Sequence, residues 1–188
     1  MPRRTPQQLD DQVVDGAAAL FARHGFEETS LRRVAEVVGF SKAGLLHHYP
    51  SKEALRGAVV QRCLVEVRMI TAGVAHRPPG PDRDREALAA LAELALRRPG
   101  FAELILSGLA TAPDGEEAVV LRPVVSALVE AFAVTADTDL PRGLRVVGAL
   151  GALVVARAAL REPPSPDEVG HLVDLACDAL GHPRRTDG

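Results

Sequence analysis

Residues 29–52, TSLRRVAEVVGFSKAGLLHHYPSK, decide the fold. Leu31, Val34, Ala35 and Val38 stand at i, i+3, i+4 and i+7, which makes one apolar helical stripe with Arg32, Arg33 and Glu36 on the outer face. Thr29 or Ser30 is placed to cap this helix, because a side-chain oxygen there accepts from the free N–H groups of the first turn. Gly39 suits the left-handed residue that closes a helix in a tight turn, and Phe40 supplies a hydrophobic anchor after it. Ser41 is a good N-cap for a second short helix reaching about His48. Pro50 stops that helix, since the residue before a proline is pushed out of the α region. Ser51 then caps a long helix that opens with KEALRGAVVQRCL. The second short helix offers a small, polar, partly basic surface rather than an apolar one. That is the surface of an element built to enter the major groove of DNA.

The lysines sharpen this reading. The chain holds 22 Lys plus Arg, and only Lys42 and Lys52 are lysine. Each follows a capping serine, at the first position of a helix. A cation there opposes the helix dipole at a cost of about 0.3–1 kcal/mol, so folding does not favour it. A phosphate docked at the helix start reverses the sign, because dipole, free N–H groups and ammonium all attract the anion. On position alone, two solvated lysines remain the alternative. Gly44 costs about 1 kcal/mol relative to alanine inside a helix. Either it lets the backbone approach base edges closely or it is a tolerated surface glycine. His47 is placed to donate to a base or phosphate. His48 points about 100° away around the helix, so the two do not face the groove together. His48 and Arg33 stand as candidates beside His47. Neither histidine has a Cys, Asp or Glu at i+3 or i+4, and no metal site is expected.

The run LDDQVVDGAAALFARHGFEETSLRRVAEVVGFSKAGLLHHYPSKEAL, residues 9–55, resembles the DNA-binding domain of the tetracycline-repressor (TetR) family of transcriptional regulators. The parts that carry the resemblance are the helix ending in LFARHGF, the TSLRRVAEVVG helix, the SKAGLLHHY recognition helix and the PSKEAL opening of the fourth helix. They cover about a quarter of the chain, and the combined motif is far more specific than VAEVVGFS alone. The resemblance implies that Thr29 and Ser30 touch phosphate, that Ser41, Lys42, Ala43, Gly44 and His47 face the groove, and that Lys52 grips phosphate from the fourth helix. One position departs from the pattern. Leu46 stands where the family often has an aromatic whose hydroxyl contacts the DNA backbone, and leucine has no donor to offer. Tyr49 is expected to be a core aromatic of the domain rather than a substitute contact.

The remaining chain reads as helices. The first helix runs from about Thr5 to His24, with Leu9, Val13, Ala17, Leu20, Phe21 and His24 on one face, and Gly25 stops it. The fourth extends to about Ala75, and HRPPGPDRD is a loop by its prolines and glycine. DREALAALAELALRR is expected to end at Pro99–Gly100, and FAELILSGLAT at APDG. In GEEAVVLRPVVSALVEAFAV, Pro123 either kinks the helix or marks its start. Residues 141–161 and 166–181 form the last two, separated by EPPSP. Arg3 and Arg4 head a polar tail of a kind that can reach the minor groove, though a disordered terminus is the default. HPRRTDG is expected to fray.

The expected fold is all-α, with about nine helices and no β-branched or aromatic alternation. Residues 1–50 form the helix–turn–helix domain and residues 51–188 a helical ligand-binding and dimerisation domain. The family resemblance implies a homodimer built by the last two helices, about 141–181, as a four-helix bundle. Val169, Leu172, Val173, Ala176 and Leu180 make one stripe there, and residues 144–160 are apolar nearly all round. A monomer burying the same faces internally is the alternative.

Charge is distributed as a DNA reader requires. The net charge is −3, but residues 1–62 hold nine Lys/Arg against seven Asp/Glu, and the rest of the chain holds 13 against 18. Four of the six aromatics lie in residues 21–49, leaving Phe101 and Phe132 for the second domain, which argues against an aromatic cage for a cationic ligand. A pocket for a small-molecule effector would be lined by Met69, Phe101, Leu104, Ile105, Val125, Leu128 and Phe132, with Arg122 placed for an acidic group. The same residues at helical spacing are ordinary core, and Arg122 can equally snorkel to solvent. Cys63 and Cys177 are too few for a disulfide framework and read as reduced core thiols. The run VVGALGALVVA, residues 146–156, is too short to span a bilayer, no signal peptide is present, and a cytoplasmic protein without a membrane partner is expected.

No cofactor and no enzymatic activity is expected. Glu168 and His171 resemble half of a di-iron helix motif whose second copy is missing, and no P-loop, dinucleotide fingerprint or nucleophile elbow occurs. The reading is a ligand-responsive, DNA-binding repressor that a small molecule releases from a double-stranded operator. The other reading is an all-α dimeric interaction protein of the same fold with weak or lost DNA affinity, for which Leu46 is the argument.

Overall fold

The structure is a computed structural model that describes residues 5–110, 115–160 and 163–182. Arg3, Arg4 and the tail after His182 lie outside the described residues, as do parts of the APDG and EPPSP connections. Among the described residues there are nine helices and no strand: α1 Pro6–His24, α2 Leu31–Val38, α3 Lys42–His48, α4 Lys52–Val74, α5 Pro81–Arg97, α6 Pro99–Ala110, α7 Glu116–Ala131, α8 Leu140–Arg157 and α9 Pro166–Leu180. The all-α class and the number of helices are those expected from the pattern. Among the described residues no helix is long and apolar enough to cross a membrane.

The helices form two compact units. The first takes Met1–Val65 and Arg98–Arg122, the second Glu66–Arg97 and Pro123–Gly188. The first unit ends inside α4, at Val65, and takes in α6, which packs on α1.

In the first unit, α1 begins with a full capping box. The Thr5 hydroxyl accepts from the Gln8 N–H at 3.2 Å, while the Gln8 side-chain Oε1 accepts from the Thr5 N–H at 2.9 Å. Val13, Val14, Ala17, Ala18, Leu20 and Phe21 form its buried face, whereas His24, expected on that face, is exposed. Phe21 and Phe26 meet edge to face with ring centres 5.3 Å apart. Gly100, at the start of α6, lies so close to α1 that a Cβ there would stand 2.0 Å from the Asp15 carbonyl oxygen. Only glycine permits that approach. The expected end at Pro99–Gly100 is met, and the difference lies in α6, which begins at Pro99 rather than at Phe101. α5 stops at Arg97, the residue before Arg98 and Pro99, and Pro99 opens α6, where its missing N–H costs nothing. Pro123 lies inside α7 rather than at its start.

The second unit contains the long α8 and α9, which pack on each other and on α5. Leu88, Leu94, Leu128, Phe132, Leu153 and Leu180 are fully buried in it. Burying each such side chain contributes about 1.5–3 kcal/mol. Two polar devices cross this core. The Thr71 hydroxyl donates to the Ala127 carbonyl at 2.7 Å. The Arg83 guanidinium donates to the Ala131 and Glu130 carbonyls at 2.8 Å each, satisfying the free end of α7. Asp84, only 1 % exposed, accepts from Arg142 at 2.7 Å and lies 2.6 Å from His182 Nε2. It joins the start of α5 to the start of α8 and the end of α9. Both cysteines are buried, and burial pushes the Cys177 thiol up against the opposing pull of Arg85.

Candidate DNA-reading surface

The turn between α2 and α3 follows from three local features. Ser30 caps α2 by accepting from the Arg33 N–H at 3.2 Å. Gly39 closes α2 at φ 75° and ψ 28°, the left-handed conformation that glycine adopts without a Cβ penalty. Ser41 caps α3 by accepting from the Gly44 N–H at 3.0 Å. Val34, Ala35 and Val38 turn inward from α2, and Leu45, with no exposed surface, turns inward from α3. Leu45 is the single fully buried residue of α3, so the rest of that seven-residue helix faces outward or lies at the rim.

Ser41, Lys42, Ala43, His47 and His48 are exposed, and Gly44 and Leu46 are half-buried. A Cβ at Gly44 would come 3.1 Å from the Ser41 hydroxyl oxygen, so the glycine has a local reason as well: it leaves room for the cap. The His47 and His48 rings lie 5.7 Å apart, and His48 also stands edge-on to Phe40 at 6.5 Å. Ser30 and Arg33 are exposed at the start of α2, with the Arg33 guanidinium 3.0 Å from His24 Nε2.

Two residues are placed differently. Thr29 is 1 % exposed, and its hydroxyl donates to the Gly25 carbonyl at 2.8 Å. It is a buried turn residue and presents nothing to a phosphate. The Lys52 ammonium donates to the Phe26 carbonyl at 3.1 Å and the Glu27 carbonyl at 3.0 Å, and lies 4.4 Å from the centre of the Phe26 ring. Folding therefore does supply a reason for a lysine at this helix start. It ties α4 to the turn after α1, where two carbonyls and an aromatic face offset the unfavourable dipole.

The sequence reading missed a polar chain behind this surface. The Tyr49 hydroxyl donates to the Asp10 carboxylate. The Arg62 guanidinium reaches Asp10 at 2.9 Å and Asp11 at 2.8 Å. Arg98 reaches the Asp11 carboxylate at 2.7 Å and the Asp11 carbonyl at 3.0 Å. Burial, then the bond to Asp10 and its charge, push the Tyr49 phenol well above its ordinary value. Tyr49 was legible as a core aromatic, but nothing local announces Asp10 and Arg62 as its partners, since they stand 39 and 13 positions away.

The eight expected pocket residues divide between the units. Phe101, Leu104 and Ile105 are buried in the first, where Arg122 is exposed. In the second, Leu128 and Phe132 are buried, Val125 is half-buried and Met69 is 66 % exposed. Met69 and Arg122 thus face outward from α4 and α7. Leu104 borders a cavity of about 30 Å³ in the first unit, with Arg56, Ser107 and Glu117. Phe132 borders one of about 460 Å³ in the second, with Asp84, Thr138, Arg142, Arg145 and His182.

An all-α chain whose third helix is capped, short and outward-facing behind a left-handed glycine turn is a helix–turn–helix protein. Residues 13–59 match the family of bacterial regulatory proteins called the tetR family. This amino-terminal segment is thus similar to the DNA-binding domain of the tetR family of regulators. The transcriptional repressor AcnR of Corynebacterium diphtheriae is 41 % identical over 44 residues, which are 23 % of this chain and 23 % of that one. The chain spans about a quarter of the length of the curated relatives it matches. The solved TetR-family structure of SCO3833 from Streptomyces coelicolor has a TM-score of 0.61 at 23 % identity and covers 97 % of this chain and 94 % of its own. AibR, solved with isovaleryl coenzyme A and operator DNA, has a TM-score of 0.56 at 22 % identity, with 92 % and 96 % covered. At these identities the solved structures share the fold.

Proposed function

We propose that this chain is a ligand-responsive repressor that binds a double-stranded DNA operator as a homodimer and is released by a small molecule. The observation that carries the reading is the outward face of α3, where Lys42 follows the Ser41 cap and stands with Ala43, His47 and the half-buried Gly44. Such a helix start attracts phosphate through its free N–H groups and the ammonium, while the small side chains leave the groove floor within reach. Ser30, Arg33 and His48 extend this surface. Lys52 acts on it by fixing the start of α4. AcnR is a transcriptional repressor, and AibR, which shares the fold, was solved in complex with isovaleryl coenzyme A and operator DNA.

A homodimer through α8 and α9 is supported by an unpartnered apolar stripe. Leu140 is 72 % exposed, Leu144 61 % and Val155 68 %, with Val147 and Gly148 between them on the same helix. Leu175 adds to it from α9. Two copies joined here would present two recognition helices to successive major grooves, about 34–36 Å apart. A small effector would find room in the second-unit cavity beside Phe132. It would act by favouring a dimer whose helices are wrongly spaced for DNA.

The test is selection of duplex DNA from fragmented genomic DNA on the immobilised protein at low salt. Enrichment of an inverted repeat supports the reading, and titration of that complex with candidate metabolites then finds the effector. A folded dimer that enriches no sequence would sink it and leave the interaction-protein reading. Leu144→Glu should convert the dimer to monomer in sedimentation, and an unchanged mass would refute the α8–α9 interface.

A further inference from the structure

We propose that Asp10 is the positioning residue of the recognition helix, acting through the Tyr49 hydroxyl. This rests on the DNA-reading proposal above. A helix of seven residues has less than two turns of its own hydrogen bonds, and Gly44 in its middle weakens it further. Its orientation therefore depends on its anchors. At the start, Ser41 closes the first turn but reaches only its own backbone. In the middle, Leu45 is buried, which fixes depth but leaves rotation about the contact. At the end, Tyr49 is the C-cap residue, and its N–H bonds back to the Leu45 carbonyl at 2.8 Å. The Tyr49 ring is buried, and its hydroxyl reaches Asp10 on α1.

Asp10 is itself held. Arg62 grips it and Asp11 together through its two terminal guanidinium nitrogens, and Arg98 also takes Asp11. The carboxylate that receives the Tyr49 hydroxyl is thus tied to α4 and to the residue before α6. A directional bond to a fixed acceptor sets the roll of α3, which Leu45 cannot do. Roll decides which of Lys42, Ala43, Gly44 and His47 meets which base edge. Phosphate attraction depends far less on roll, because it acts on charge rather than on donor and acceptor alignment.

Tyr49→Phe removes the hydroxyl and leaves the ring. The experiment measures its affinity for the duplex selected by the wild type and for a random duplex of equal length, across salt concentrations. The expected result is about tenfold weaker binding to the selected duplex, binding to the random duplex within about twofold, and an unchanged salt slope. Amide hydrogen exchange on the free protein is expected to quicken over residues 42–49 and to stay unchanged over α1. Asp10→Ala, which removes the acceptor, serves as the second variant should Tyr49→Phe fold poorly, and the same separation is expected. Equal loss on both duplexes, or wild-type affinity and wild-type exchange in both variants, would overturn the proposal. Wild-type protein that selects no duplex would refute the DNA-reading proposal instead, and the exchange experiment would still judge the anchor.

Discussion

The Tyr49 hydroxyl donates to the Asp10 carboxylate, so the residue that closes α3 is bonded to the second turn of α1, 39 positions earlier in the chain. Tyr49 is the sole tyrosine and the chain has no tryptophan, so phenolate absorbance reports this one group. Its pKa is raised above the ordinary 10.0, first by burial and then by Asp10. The folded state therefore holds the proton more tightly than the unfolded state. The stability this contributes is fully present below pH 10 and is lost as pH rises from there towards the folded value. A spectrophotometric titration is expected to show a midpoint well above 10 in buffer and near 10 in denaturant. A midpoint near 10 in both would show that the bond is absent in solution.

Lys42 and Lys52 are both at helix starts, yet they are expected to fail differently when cut to alanine. Lys42 is exposed and no bond holds its ammonium among the described residues. Lys42→Ala should change stability by no more than about 0.5 kcal/mol while weakening DNA binding and lowering the salt slope by about one. Lys52→Ala removes two bonds to carbonyls and a contact with Phe26. A stability loss of about 1–2 kcal/mol is expected there, with the salt slope little changed. Chemical denaturation and salt-dependent gel shifts check both, and equal stability of the two variants would contradict the assigned anchor.

Gly100 and Gly57 both stand in helices, and alanine is expected to act on them with opposite sign. At Gly100 the new methyl would stand 2.0 Å from the Asp15 carbonyl oxygen, so α6 must move off α1. Gly100→Ala should lower stability by about 1–3 kcal/mol. At exposed Gly57 nothing lies within 4 Å, and Gly57→Ala should raise stability by about 0.5–1 kcal/mol through helix propensity. Denaturation midpoints of the two variants decide.

Asp84 is a buried carboxylate held by Arg142 and His182. Asp84→Ala leaves the Arg142 guanidinium, half-shielded from water, without its counter-ion, and a loss of about 3–5 kcal/mol is expected. Asp84→Asn keeps an acceptor and should lose less. Thermal unfolding followed by circular dichroism distinguishes them, and an unperturbed alanine variant would show that the triad carries no stability.

The helix–turn–helix was legible because its signals are local. Serine caps, a left-handed glycine and a stripe at 3.6-residue spacing each act within one turn, so Ser30, Val34, Gly39 and Ser41 could be placed from neighbours alone. The same reasoning misplaced Thr29. Two candidate caps stood side by side, and only the packing of α1 shows that Thr29 points inward to the Gly25 carbonyl while Ser30 does the capping. It also missed Asp84, whose partners stand 58 and 98 positions away.

The sequence by itself determined the helices, their order and the face of α3 that stays wet, because caps, glycines and apolar period are properties of consecutive residues. Only the tertiary structure decided what holds that face in place. The acceptors of Lys52 lie in the turn after α1, and the chain from Tyr49 through Asp10 and Arg62 to Arg98 forms where α1 meets Arg62 of α4 and the residue before α6. A bond between groups brought together by packing leaves no periodic trace in the order of the residues.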